Sequence, residues 1–300
     1  MDYGKCSLPG GYIDEAGQLH KEVSLVPLSG REEELLVSMS GQGAAAQVST
    51  ILSCCVKHIG TISDVSKELV QKLLVGDRQY LMLKLREITF GEKVQASVSC
   101  PWPECDTGVD VNFRIPDIPI KDAQLTTLVH ECEFYVGSED ARQKVWFRLP
   151  NGADQEALSK KFHENNAIAA TQLLWRCIQR IDEIKSPTIE QVRDLSSNVR
   201  QQIEQRMQKL APDVELTMQA QCPECHRDFS IPFDIQEFFF GELKTSRELL
   251  RREVHYLAYH YHWSEQDILS MTRDKRHEYI DVLTEEIDRL NSGVQSSAVS

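Results

Sequence analysis

The sequence predicts an α+β fold, mainly helical, carrying a split zinc-ribbon pair of β-hairpins and an inserted β-hairpin plus helices. Three observations lead there. Two Cys-Pro-led pairs, Cys100-Pro-Trp-Pro-Glu-Cys105 and Cys222-Pro-Glu-Cys225, each lie between short stretches that alternate with period two, the pattern of a strand. Residues 106–221 separate the pairs, so one small device occurs twice in one chain. Most of the remainder repeats its apolar residues at helical spacing. The expected division is a mostly helical segment over 1–92, a first zinc hairpin over 93–120, an inserted hairpin and helical region over 121–212, a second zinc hairpin over 213–236, a C-terminal helical region over 237–291, and a disordered tail over 292–300.

Taken in order, the chain opens with short extended pieces from Leu8 to Ile13 and up to Leu28, turning around Gly17. Ser29 followed by Glu32 forms a capping-box signal for a first helix. Gly41 and Gly43 break it, and a second helix follows through Val56. The same glycines lack the preceding strand and the Lys-Ser/Thr ending of a phosphate loop. Cys54 and Cys55 are adjacent on that helix, face different ways and read as core residues. Two further helices are expected between Ser63 and Leu85, broken at Gly76-Asp77. The first hairpin then pairs Val94–Ser99 with Val109–Pro116.

In the insert, Cys132–Val136 and Lys144–Leu149 flank Gly137-Ser138-Glu139-Asp140, a hairpin signal that Pro150 ends. Helices follow over Asp154–Phe162 and Ala167–Arg180, then a helical pair opened by Ser186-Pro187 as N-cap and first helical residue. Ile189, Val192, Val199, Ile203, Met207 and Leu210 form its apolar stripe. Glu215–Gln221 and Phe229–Pro232 make the second hairpin. A long helix is expected from Ser246, with Leu250, Val254, Leu257 and Tyr261 on one face. A short helix begins at Ser264, and a last one from Thr272 places Tyr279, Ile280, Leu283, Ile287 and Leu290 inward.

Composition narrows the function classes. With 300 residues and 41 % hydrophobic content the chain can bury a sizeable core. No apolar run is long enough to span a membrane, and Met1-Asp2-Tyr3-Gly4-Lys5 lacks the basic and apolar regions of a secretion signal, so a cytoplasmic protein is expected. Nine cysteines in that setting point to metal and free thiols rather than disulfides. A net charge of −13 opposes nucleic acid, whose affinity rests on Lys and Arg displacing counterions. The local cations Lys244, Arg247, Arg251 and Arg252 alternate with glutamates, as on a solvated helix face.

Cys100, Cys105, Cys222 and Cys225 are the candidate ligands of one structural Zn2+. Two turns that each offer two thiolates supply a closed four-sulfur site, with no vacant position for a substrate. His226 adjoins the second pair and is an alternative ligand. A redox role for Cys222-x-x-Cys225 would need a surrounding βαβ pattern, whereas strands flank it. His255, His260 and His262, beside Glu253 and Glu265, raise the alternative of a metalloenzyme, but their spacing is not that of a helical metal pair. No nucleophile elbow, Walker loop, dinucleotide fingerprint or deaminase signature occurs.

Leu8-Pro-Gly-Gly-Tyr-Ile13, the two Cys-Pro pairs, Phe147-Arg-Leu-Pro-Asn-Gly-Ala-Asp-Gln155 and Glu253-Val-His-Tyr-Leu-Ala-Tyr-His-Tyr-His-Trp-Ser-Glu265 with Ile268-Leu269 together resemble a known family. It is the baseplate hub assembly chaperone family of T-even-type phages and phage-tail-like contractile injection systems. The resemblance follows the order of segments over most of the chain and is strongest from Cys222 to about Leu290. It implies a non-enzymatic assembly factor or minor baseplate component whose partners are hub, spike or wedge proteins, with neither nucleic acid nor membrane among them. A zinc-ribbon nucleic-acid or transcription protein and a metalloenzyme using the C-terminal histidines are the competing readings.

Overall fold

A computed structural model describes residues 4–39, 41–135 and 142–297. The expected hairpin turn Gly137–Asp140 lies outside them. Helix accounts for 49 % and the strands lie in small sheets, so the fold is mixed α and β with helix predominating.

The N-terminal part is a three-stranded antiparallel sheet under helices. β1 (Gly4–Ile13) pairs with β2 (Leu19–Leu25), and β2 with β3 (Val56–Ile59), a strand that follows directly on a helix. The helices are α1 (Gly30–Ser38), α2 (Ala44–Cys55), α3 (Lys67–Lys72) and α4 (Val75–Phe90). Leu8, Leu25, Ile51, Leu52, Leu81 and Leu85 form the centre of this core. Glu32 accepts from the Ser29 amide at 2.9 Å, half of the expected capping box.

The break between α3 and α4 falls at Leu73-Leu74, not at Gly76-Asp77. Both residues sit inside the first turn of α4 for tertiary reasons. A Cβ on Gly76 would lie 2.2 Å from the Pro212 carbonyl oxygen, so only glycine permits that approach. Asp77 accepts from the amides of Gly10 at 2.7 Å and Gly11 at 3.1 Å, and burial pushes its carboxyl up to about 7. Arg78 is fully buried and donates to Ser49, Gln155 and the Ala45 and Val70 carbonyls, tying four helices together, while burial lowers its guanidinium to about 10.

β4 (Lys93–Ser99) and β5 (Gly108–Arg114) form the first cysteine hairpin. The insert opens with β6 (Ile120–Lys121) and continues through β7 (His130–Tyr135), β8 (Arg142–Phe147), α5 (Gly152–Glu164) and α6 (Asn166–Cys177). Then come β9 (Ile178–Ile181), β10 (Ile184–Lys185), α7 (Ile189–Arg193), α8 (Ser197–Leu210) and β11 (Asp213–Val214). Its sheet has the order β10-β9-β8-β7, and Val145, Phe147, Leu174, Val199 and Ile203 fill a second core. β11 pairs with β6, so the entry and exit of the insert meet.

Two expectations are corrected here. The helix expected to reach Arg180 ends at Cys177, because Ile178–Ile181 pairs with β8 as a strand. Ser186 has a left-handed φ of 49° and does not cap α7; Thr188 does, in a reciprocal capping box with Gln191.

β12 (Thr217–Gln221) and β13 (Asp228–Pro232) form the second cysteine hairpin, followed by α9 (Ile235–Tyr261), α10 (Glu265–Leu269) and α11 (Arg273–Ser297). The long helix starts eleven positions before Ser246, because Asp234 caps it by accepting from the Gln236 and Glu237 amides. Its first turns bury Phe239, Phe240 and Leu243 in the N-terminal core. α11 runs through Ser297, into the stretch expected to fray. Leu290, expected inward, is 58 % exposed.

Candidate metal centre

Each cysteine turn is built by the backbone in the same way. In the first, the Cys100 amide donates to the Thr107 carbonyl at 2.9 Å, closing the loop at the end of β4. In the second, the Cys222 amide donates to the Arg227 carbonyl at 3.1 Å, closing the loop at the end of β12. The residue after the second cysteine of each pair, Asp106 at φ 44° and His226 at φ 57°, turns left-handed. That conformation returns the chain into β5 and β13.

The hairpins then pack face to face. Val109, Phe229 and Ile231 alternate inward and make a small third core with buried Cys100 and Cys222. The pairs meet crosswise: Cys100 Sγ lies 3.8 Å from Cys225 Sγ, and Cys105 Sγ 3.6 Å from Cys222 Sγ. All four sulfurs lie within 4.8 Å of one another, and among the described residues this is the one such cluster.

The spacing is informative. A tetrahedron with metal–sulfur bonds of about 2.3 Å has sulfur–sulfur edges of about 3.8 Å. A disulfide would bring two sulfurs to about 2.05 Å. The two crosswise separations match those tetrahedral edges, and with all four sulfurs within 4.8 Å the thiols can hold a metal ion. Electrostatics favours thiolate formation at one of them. The backbone amide of Cys225, with that of Glu224, is aimed at Cys222 and outweighs burial, bringing that thiol down to about 7. Burial pushes Cys100 up to about 12, and the three neighbouring sulfurs add to the rise.

The cluster contains no histidine: His226 supplies the left-handed turn residue, its amide donating to the Cys222 carbonyl at 2.9 Å. His255 and His260 are exposed on α9, the first ring tilted against Tyr259 and the second edge-on to Tyr256, while His262 is the left-handed C-cap of that helix. Glu253, expected beside them, faces Arg276 and His277 instead. No metal-binding group forms from these histidines among the described residues.

Two supports of the site were not visible as ligands in the sequence. Thr107 Oγ1 accepts from Cys105 Sγ at 3.3 Å. Arg227, in the second turn, lies over the Trp102 ring of the first at 5.1 Å and reaches Glu104 at 3.5 Å. The Trp102 between two prolines was the available signal, but its partner is 125 positions away.

A family model described as T4 bacteriophage base plate protein matches residues 12–240, taking in both cysteine hairpins and the insert between them. The match ends early in α9, so it leaves out most of the stretch from Cys222 to Leu290, where the sequence resemblance is strongest. No curated protein and no solved structure matches the chain.

Proposed function

The chain belongs to the T4 bacteriophage base plate protein family, and from that premise we propose that it is a non-catalytic assembly chaperone or minor component of a contractile-tail baseplate. The single observation that carries this is the family match, which spans both cysteine hairpins. Its partners in this reading are hub, spike or wedge proteins, met in the bacterial cytoplasm where tails are built. Compatible with that setting, no helix among the described residues is long and apolar enough to cross a membrane.

The four cysteines hold Zn2+ in a zinc ribbon split by the insert. The crosswise sulfur distances and the four-thiol make-up of the cluster support a closed structural site. Zinc there would supply cohesion: it binds thiolates from both ends of the insert, adding to the small apolar core between the hairpins.

The test is genetic and structural. Deleting the gene from its own phage or injection system should abolish complete baseplates seen by electron microscopy, and a copy expressed in trans should restore them. Normal tails from the deletion would overturn the assembly role. Mass spectrometry of purified particles then distinguishes a retained component from a chaperone that leaves.

A further inference from the structure

We propose that the groove beside β9 is a docking site for an acidic, leucine-bearing segment of a partner protein. The inference goes beyond the assembly reading and uses none of the cysteine ligands, so either can fail without the other.

The groove, of about 770 Å³, is open to solvent and runs between β8, α6 and β10. Trp146, Trp175, Arg148, Arg176, Arg180 and Lys185 line it, and among the described residues no acidic one does. That is a local inversion on a chain of net charge −13. Its floor holds unbalanced charge. Arg148 donates to Asp154 at 2.6 and 2.9 Å and Arg176 donates to the same carboxylate at 2.7 Å, so two guanidiniums share one anion that is 1 % exposed. Arg180 lies over the Trp146 ring at 4.3 Å and reaches Glu183 at 3.3 Å, which together hold its guanidinium at the rim.

The apolar half of the recognition is also preset. Trp175 is 41 % exposed, yet its indole nitrogen donates to the Pro187 carbonyl at 3.0 Å, fixing the ring as a platform. A second cavity, of about 320 Å³, adjoins the groove through Val129, Arg148 and Gln179 and is flanked by Leu128, 58 % exposed. A ligand spanning both meets cations first and then the aliphatic side chains of Ile13, Leu74, Leu125 and Leu149, in a cavity whose lining also includes Asp14 and Glu15.

Charge complementarity identifies the occupant. Four lining cations stand against the two carboxylates of Asp154 and Glu183, a net positive face that a carboxylate-bearing segment complements. A nucleic acid is a poor fit, because three of the four cations already have a carboxylate partner, Arg148 and Arg176 in Asp154 and Arg180 in Glu183, and the rest of the chain repels a long polyanion. A protein segment that carries only a few carboxylates avoids most of that repulsion.

The experiment uses the full-length chain and a fluorescently labelled peptide of alternating glutamate and leucine. Anisotropy should show saturable binding that weakens with added salt. A lysine–leucine peptide and a single-stranded oligonucleotide of the same length should bind at least about tenfold more weakly. Arg180→Glu with Lys185→Glu should weaken the glutamate–leucine peptide about tenfold or more. Lys185→Ala, at an exposed position on a two-residue strand, should weaken it about threefold and keeps the test valid if the double variant does not fold. Equal binding by the wild type and Lys185→Ala, no binding of the glutamate–leucine peptide, or tighter binding of the oligonucleotide would each overturn the proposal.

Discussion

Arg276 donates to Glu33 at 2.9 Å across 243 positions of sequence, and both side chains are buried, at 1 % and 5 % exposure. The same guanidinium donates to Glu253 at 2.8 Å, so one cation near the start of α11 ties it to α1 and α9. Two carboxylates on one arginine are stable in a low-dielectric site only while that arginine is present.

Arg276→Ala is accordingly expected to cost about 3–5 kcal/mol, because it strands Glu33 without its buried partner. Urea unfolding of the variant and the wild type measures this. A loss below about 1 kcal/mol would mean that the contact is exposed in solution and does not anchor the C-terminal helix.

For the cysteine centre, purified protein should carry about one zinc per chain, read by elemental analysis. Cys222→Ser should lose the metal and lower the unfolding midpoint, and a strong chelator should lower the wild-type midpoint in the same direction. Cys54→Ser, on α2 and outside the cluster, should keep full zinc content. Metal-free wild type of unchanged stability would remove the zinc reading.

Asp154 makes a prediction about acid. Burial raises its carboxyl, but hydrogen bonds from Arg148 and Arg176 outweigh burial and hold it below the ordinary aspartate range. A group lowered on folding stabilises the protein above its unfolded value, near pH 4, and that contribution is lost as pH falls through the folded value. Wild-type stability should therefore drop below about pH 4 with a component that Asp154→Asn lacks. At neutral pH the variant should be destabilised by about 3 kcal/mol or more, because two arginines lose their shared carboxylate. Urea titrations at stepped pH give both quantities, and parallel pH profiles for the two proteins would refute the assignment.

Gly76→Ala should be destabilising even though alanine is the better helix former. The added Cβ would meet the Pro212 carbonyl at 2.2 Å, a backbone atom that cannot rotate aside. Overpacking of this kind costs about 1–3 kcal/mol. Thermal unfolding decides between that loss and the small gain expected on an open helix surface.

The sequence by itself determined what local periodicity and turn chemistry can encode. Both cysteine hairpins were legible because period-two strands flank each pair, and the candidate ligands could be named because thiol spacing is a local property. Most helices were legible from their apolar stripes, with α5 clear from its Asp154 and the polar turn before it. Tertiary structure decided where pairing or close approach overrides those signals. Ile178–Ile181 continues a helical pattern but becomes a strand, since β8 offers an edge and Ile178 and Ile181 fill the second core. Gly76-Asp77 looks like a helix break but lies inside α4, because Pro212 and the Gly10 and Gly11 amides need those two residues there. The histidines of α9 cluster in sequence and disperse in space, as helical spacing turns them to different faces. Only the folded chain brings Cys100 to Cys225 and Cys105 to Cys222, because both hairpins bury one face in a shared core.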